Sequence, residues 1–101
     1  FIQIPKIRSG ADSSWHQYVV HVPKYRNQLA VNLKKLGIGT LIHYPVPPHL
    51  SNAYKYLGYK KGDFPIAEQY ADEVLSLPLY NGMTEEEQTQ VINAVNNFER
   101  E

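Results

Sequence analysis

The sequence predicts an α+β fold in which helices cover one face of a short sheet. The predicted elements follow the order strand, helix, strand, helices, strand and helix, without an internal repeat. With 101 residues, the chain suits a single domain, which can bury roughly two-thirds of the surface that its unfolded chain exposes. A hydrophobic content of 43% with 20% charged residues is typical of a folded globular protein.

The first half of the chain predicts a connector, a strand, a helix and a second strand. Residues 1–14 contain proline, glycine and a polar run, which are typical of a connector. Residues 15–22 are rich in aromatic and β-branched types and predict a strand. Residues 25–36 carry apolar side chains at helical spacing, and Gly37 follows them where a C-terminal cap is expected. Residues 38–42 predict a second short strand.

The second half predicts two helices separated by a third strand. Asp63 is predicted to be the side-chain acceptor that starts a helix reaching about residue 74. Residues 75–79 predict an edge strand, because Pro78 cannot donate a ladder hydrogen bond. Thr84, with a glutamate three residues later, predicts a capping box at the start of the last helix. The predicted buried faces of the three helices are Leu29, Ala30, Leu33 and Leu36; Ile66, Ala67, Tyr70, Ala71 and Val74; and Val91, Ile92, Val95 and Phe98.

Charge and residue usage narrow the classes of function. Ten basic residues balance ten acidic ones, so the chain lacks the basic excess expected of a protein that binds nucleic acid or an anionic membrane. No apolar run approaches the roughly 20 residues of a membrane span, and no signal peptide is visible. The absence of cysteine excludes disulfides and fits a cytoplasmic protein. The sequence begins with Phe1 and not with an initiator methionine, so we expect a fragment or a processed chain.

The segment 37–50 is the strongest candidate for a functional site. It contains two glycines, three prolines, two histidines and a tyrosine in fourteen positions, directly after a predicted strand, where open α/β architectures usually bind ligands. His43 and Tyr44 are therefore candidates for polar contacts with a ligand. The alternative is that Tyr44 packs under the loop and His43 is a hydrogen-bonded residue at the strand end. After the segment, residues 52–57 predict about two helical turns that end at Gly58.

The four histidines do not predict a metal site, and the sequence shows no catalytic arrangement. His16 and His21 are five residues apart on a predicted strand, so they point to opposite faces and cannot bind one ion. His43 and His49 could converge, but no carboxylate lies close in sequence to complete a zinc site. His49 fits better as the start of a short helix. No Ser-His-Asp arrangement, phosphate-binding glycine loop or desolvated lysine is apparent.

Tyrosine is unusually frequent, with eight residues in the chain. Its large apolar ring and polar hydroxyl suit a contact surface, which predicts an interface. The alternative is a small domain that covers its core with amphipathic rings. Both interpretations are compatible with the sequence.

Three segments taken together resemble the C-terminal domain of the DegT/DnrJ/StrS family of pyridoxal-phosphate-dependent aminotransferases, which act on nucleotide-linked keto sugars. The segments are Ser-Trp-His-Gln-Tyr-Val-Val at 14–20, Gly-Ile-Gly-Thr at 37–40 leading to His-Tyr-Pro-Val-Pro-Pro-His-Leu at 43–50, and Gly-Asp-Phe-Pro-Ile-Ala-Glu at 62–68 leading to Leu-Ser-Leu-Pro-Leu-Tyr at 75–80 and Thr-Glu-Glu-Glu at 84–87. The resemblance covers about residues 13–98, and the order and spacing of its segments make it specific.

The resemblance implies the small domain of a fold-type I aminotransferase at residues 15–101, joined through residues 1–14 to a large domain that binds pyridoxal phosphate. It implies transfer of an amino group from glutamate to a keto nucleotide sugar, in an intact protein that is commonly a homodimer. His43 and Tyr44 would contact the sugar or its diphosphate, since an imidazole can donate hydrogen bonds to phosphate and hydroxyl oxygens.

The family's Schiff-base lysine, pyridine-nitrogen carboxylate and phosphate-binding residues belong to the large domain. We therefore expect this chain alone to bind pyridoxal phosphate weakly or not at all and to be inactive. Two alternatives remain: a free-standing ligand-binding or regulatory α+β module, and a non-catalytic homologue that uses a bound sugar or cofactor for sensing. A large exposed apolar face would favour a domain that docks on another over a free-standing module.

Overall fold

The computed structural model describes residues 1–100 and confirms the α+β class. Two strands, β1 (Tyr18–His21) and β2 (Val74–Leu77), form an antiparallel sheet with Tyr18 opposite Leu77 and His21 opposite Val74. The helices are α1 (Arg26–Lys35), α2 (Pro65–Glu73) and α3 (Glu85–Asn96). Two short 3₁₀ helices, Pro48–Leu50 and Asn52–Leu57, lie between α1 and α2.

The three predicted strands are all shorter or differently placed than expected. The first begins at Tyr18 because Trp15 has a left-handed backbone, with φ of 49°, which no strand can contain. Residues 38–42 do not form a strand, since Leu41 alone pairs, in a single bridge to Ser76. The predicted edge strand ends at Leu77, and it is flanked on both sides, by β1 and by Leu41.

A second isolated bridge lies on the other side of β1. The backbone of Gln3 exchanges hydrogen bonds with that of His21, at 2.8 and 3.0 Å. No helix or extended strand occurs in residues 1–14, and Gln3 is held against the sheet. The boundary between connector and domain at residues 14 and 15 stays a prediction.

The core lies between one face of the sheet and helices α1 and α3. Val20 and Leu75 are opposite each other in the sheet, and both are completely buried. The cluster around them comprises Val22, Leu29, Leu33, Ile38 and Val95. Five residues of the predicted buried faces are instead exposed. Leu36 lies beyond the end of α1, Ile92 borders an open groove next to Val91, and the other three, Ile66, Ala67 and Tyr70, belong to α2.

A buried arginine connects α1 to the point where α2 runs directly into β2. The Arg26 side chain is 9% exposed, and its Nη1 donates to the carbonyl oxygens of Ala71 and Val74, each at 3.2 Å. The carbonyl of Ala71 belongs to the last turn of α2, where no further backbone N–H is available and the helix dipole favours a cation. Arg26 therefore satisfies this helix end from a neighbouring element.

The helix ends follow the sequence prediction in two cases out of three. Gly37 has φ of 78° after α1, the left-handed conformation of a C-terminal cap. Thr84 and Glu87 form both bonds of the capping box of α3. Asp63 does not cap α2, because its carboxylate accepts from the N–H of Lys60 instead.

Replacing Thr84 by alanine is expected to destabilise the domain by about 1 kcal/mol, because the amide of Glu87 loses its acceptor at the start of α3. Chemical denaturation measures the change in the free energy of unfolding. Thr84→Ser keeps the hydroxyl and serves as the control. Equal destabilisation by serine and alanine would contradict a capping role for the hydroxyl.

Candidate functional site

His43 lies two residues beyond the bridge of Leu41 and turns back over the sheet. Its Nδ1 is 2.9 Å from the hydroxyl oxygen of Ser76, a residue of β2 that is 7% exposed. This contact fixes the imidazole ring in place. When the hydroxyl donates to Nδ1, the proton is on Nε2, which can then donate to a ligand.

An open cleft of about 480 Å³ surrounds His43. Most of its surface is apolar and includes three leucines and a proline, and a few polar side chains among them can donate and accept hydrogen bonds. The lining residues are His16, Gln17, Gly39, Thr40, Leu41, His43, Ser76, Leu77, Pro78, Leu79 and Tyr80. The pKa of the Tyr80 phenol is raised because it shares a hydrogen bond with the Glu87 carboxylate. A ligand that combines apolar surface with a few oxygen acceptors fits such a cleft.

Only one of the two residues that the sequence predicted to act together lines the cleft, namely His43. Tyr44 is 70% exposed and does not line the cleft around His43. The two rings meet edge to face, with centroids 5.5 Å apart, across a cis peptide bond. The alternative in which Tyr44 packs under the loop is therefore wrong, whereas His43 does form the hydrogen bond that the structural alternative expected. A contact of His43 and Tyr44 with a ligand stays a prediction.

His16 was interpreted as a residue of the first strand, and it lies in the cleft instead. It precedes β1, and the left-handed backbone of Trp15 directs the chain toward the cleft just before the strand begins. Sequence periodicity carries no signal for such a local turn at a non-glycine residue. His21 lies apart from it, where Nδ1 contacts Gln3 and Nε2 contacts Glu73.

The last histidine of the proline-rich loop, which we define as residues 43–50, forms a hydrogen-bonded pair with a carboxylate. His49 lies in the 3₁₀ helix Pro48–Leu50, which begins one residue earlier than predicted, and its Nε2 lies 2.9 Å from Oε1 of Glu68 on α2. The side chains are 7% and 13% exposed. The hydrogen bond from His49, together with backbone N–H groups of Gly62 and Phe64, lowers the pKa of the Glu68 carboxyl. This pair joins loop and helix, and the sequence reasoning missed it.

The cleft lacks the groups that bind pyridoxal phosphate covalently or pair with its ring nitrogen. Its lining contains no lysine and no carboxylate. Within residues 1–100, no three His, Cys, Asp or Glu side chains are arranged to hold a metal ion. The residues around His43 can bind a ligand through apolar contacts and orient it with a few hydrogen bonds, but they do not fit pyridoxal phosphate as a resident cofactor.

Helix α2 and the segment before it expose an apolar surface. Ile66 and Tyr70 of the predicted buried face are 69% and 51% exposed, and Ala67 is exposed as well, so that assignment is wrong for these three residues. We use the term aromatic surface for the exposed side chains of Ile66 and Tyr70 together with Tyr54, Tyr56, Leu57, Tyr59 and Phe64. Four of them, Tyr54, Leu57, Tyr59 and Phe64, line one open groove. Exposed apolar side chains that lie together mark sites of interaction in soluble proteins. The prediction of a tyrosine-rich interface is consistent with this arrangement.

No helix within residues 1–100 combines the length and the apolar character needed to cross a membrane.

Comparison with known proteins finds one family along nearly the whole chain. The model of the DegT/DnrJ/EryC1/StrS aminotransferase family matches residues 2–96. The chain is 42% identical over 96 residues to the pleiotropic regulatory protein of Geobacillus stearothermophilus, covering 95% of this chain and 26% of that protein. It is 41% identical over 98 residues to the dTDP-3-amino-3,6-dideoxy-α-D-galactopyranose transaminase of Aneurinibacillus thermoaerophilus, covering 97% of this chain and 26% of that enzyme.

A solved structure agrees with these relatives. The crystal structure of DesV from S. venezuelae in complex with a ketimine intermediate superimposes with a TM-score of 0.88 at 39% identity, covering 93% of this chain and 25% of DesV. The chain thus spans about a quarter of the length of the proteins it matches. The predicted small-domain fold is confirmed by this likeness.

Proposed function

Because the chain belongs to the DegT/DnrJ/EryC1/StrS aminotransferase family, we propose that it is the C-terminal part of an enzyme that moves an amino group from glutamate to a keto nucleotide sugar. The observation that supports this most is the match over residues 2–96 together with a transaminase 41% identical to the chain. Such an enzyme would serve the synthesis of deoxysugars or of cell-surface polysaccharides, in the cytoplasm.

Pyridoxal phosphate is proposed as the cofactor of the intact protein, held by residues outside this chain. The cleft around His43 has neither a lysine nor a carboxylate in its lining, so we derive no chemical step through the cofactor here. We expect this chain mixed with pyridoxal phosphate to show no saturable adduct on a single lysine.

His43 and Tyr44 are proposed to contact the sugar or its diphosphate. The imidazole of His43 is fixed by Ser76 and borders an open, mainly apolar cleft, so its free nitrogen can donate to a hydroxyl or phosphate oxygen. Tyr44 lies outside the cleft and exposes its phenol, which leaves it available to a group that extends beyond the cleft. Hydrogen bonds of this kind orient a substrate and are most valuable where water is excluded.

The partners proposed for this chain are a large domain of the same protein and a second copy of the intact protein. The aromatic surface supports the first, because large apolar side chains that are exposed side by side mark an interaction site in a soluble protein. The same observation argues against the alternative of an independent ligand-binding or regulatory module.

A sensing role without catalysis is the second candidate. It is favoured by one observation, that a relative 42% identical to the chain is named a pleiotropic regulatory protein. In that case the cleft would bind a sugar nucleotide or a cofactor without turnover.

One experiment separates the two candidates. The intact protein that carries this chain is incubated with pyridoxal phosphate, glutamate and a dTDP- or UDP-linked keto sugar, and 2-oxoglutarate is measured. Formation of 2-oxoglutarate that depends on the keto sugar is the expected result. Saturable binding of the sugar nucleotide without 2-oxoglutarate would instead support the sensor.

A further inference from the structure

The proline-rich loop is fastened to the rest of the domain at both ends. At its start, His43 contacts Ser76 of β2 at 2.9 Å. At its end, His49 contacts Glu68 of α2 at 2.9 Å, across nineteen positions of sequence. Pro47, between these two points, is buried, whereas Tyr44 remains exposed. The loop is thus stretched between the sheet and a helix.

The attachment at Glu68 is built from several donors that converge on one carboxylate. Besides His49, the N–H of Gly62 donates to both carboxylate oxygens, at 2.8 and 3.0 Å, and the N–H of Phe64 is 3.4 Å from Oε1. The His49 ring also packs against the Phe64 ring, with centroids 4.9 Å apart. The side chains of His49 and Glu68 are both largely shielded from water. An acceptor with two oxygens and a negative charge matches this set of donors, and charge-assisted bonds are the stronger kind.

We propose that His49 and Glu68 are positioning residues that hold the proline-rich loop in place, so that His43 and Tyr44 meet the keto nucleotide sugar. The proposal rests on the proposed function, since it concerns the same cleft. Neither residue lines the cleft around His43, and neither needs to touch the substrate. They act through the loop, because its end cannot shift while the His49–Glu68 contact is intact.

Glu68→Gln weakens this attachment without removing the side chain. Its carbonyl oxygen can still accept from His49 at the position of Oε1, but it carries no charge, and its NH₂ group would face the N–H of Gly62 at the position of Oε2. The loop end would then be held less firmly while the fold around the core is retained, because Glu68 does not belong to the core cluster. The expected loss of kcat/KM for the keto sugar is on the order of tenfold to a hundredfold, the scale of a displacement of about 1 Å.

The chain offers a matched control on the same helix. Glu73 also pairs with a histidine, His21, and these side chains are 22% and 18% exposed. That pair joins α2 to β1 and does not touch the proline-rich loop. Glu73→Gln therefore removes a similar charge from a similar pair without releasing the loop.

The test compares Glu68→Gln, Glu73→Gln and the wild type in the intact enzyme. Two readouts are used: steady-state kinetics for the sugar and for glutamate, and amide hydrogen exchange at the end of the loop, at Leu50 and Ser51, whose N–H groups donate to the carbonyls of Pro47 and Pro48. We expect Glu68→Gln to raise KM for the sugar and to speed exchange in the loop, with glutamate kinetics unchanged. Glu73→Gln should change neither readout. His49→Leu should also raise KM for the sugar and speed exchange in the loop. His49→Gln keeps a donor for Glu68 and should therefore show most of the wild-type behaviour.

Two results would overturn the proposal. One is equal changes in both carboxylate variants, which would mean general destabilisation. The other is unchanged amide hydrogen exchange of the loop in Glu68→Gln. This second criterion can be used even if the protein has no transaminase activity. Failure of the proposed function looks different, because the wild type itself would then form no 2-oxoglutarate.

Discussion

Under the proposed function, replacement of His43 by phenylalanine in the intact protein is expected to lower kcat/KM for the keto sugar by about tenfold to a hundredfold. Phenylalanine keeps the ring that faces Tyr44 but removes both nitrogens. A hydrogen bond to a charged group contributes roughly 1.5–3 kcal/mol, which corresponds to that loss. Steady-state kinetics with a varied sugar nucleotide measures it.

Two comparisons make the His43 result specific. The half-reaction with glutamate should be unchanged, because glutamate carries no nucleotide or diphosphate for the imidazole to bind. Ser76→Ala removes the partner of His43 but not the imidazole, so a smaller loss is expected. Tyr44→Phe should also cost less, since its phenol lies outside the cleft. Equal losses with glutamate and with the sugar would contradict a substrate contact at His43.

Leu75→Ala is expected to destabilise the domain by about 2–5 kcal/mol, the largest effect on stability that we predict. Leu75 is completely buried in β2, opposite Val20, at the centre of the core cluster. Alanine would leave a cavity that the surrounding side chains fill only in part. Chemical denaturation gives the change in the free energy of unfolding.

Leu41→Ala is the matched control for Leu75. Leu41 belongs to the segment predicted as a buried strand, yet its side chain is 65% exposed. Its substitution should change stability by much less than about 1 kcal/mol. A loss at Leu41 comparable to that at Leu75 would mean that the segment is more buried than the structure shows.

Helices were predicted well because their signals are local. The capping box of α3 and the left-handed Gly37 after α1 depend on residues within one turn. Strand limits were predicted poorly because they depend on partners distant in sequence. Residues 38–42 look like a strand by residue type, but only Leu41 finds a partner, Ser76. Propensity cannot report how many residues pair with a segment so far along the chain.

The candidate site was predicted in part. His43 lies in a cleft, as its turn-rich segment suggested, but residues 38–42 before it form no strand, and the cleft borders Leu77 at the end of β2 instead. The position of His16 in the same cleft depends on an unusual backbone angle at Trp15, and the His49–Glu68 pair depends on the packing of the loop against α2. Both arise from tertiary structure, which a pattern of residue types does not encode.

The buried Arg26 sets how this domain can move. It ties α1 to the junction of α2 and β2, so helix and sheet cannot swing apart without breaking two hydrogen bonds to Ala71 and Val74. The proline-rich loop is attached to both α2 and β2 and travels with them. Any hinge motion that carries the cleft toward a substrate therefore transports His43 as part of one rigid body. As long as the loop stays attached at both ends, the direction in which the imidazole points changes only with the orientation of the whole domain.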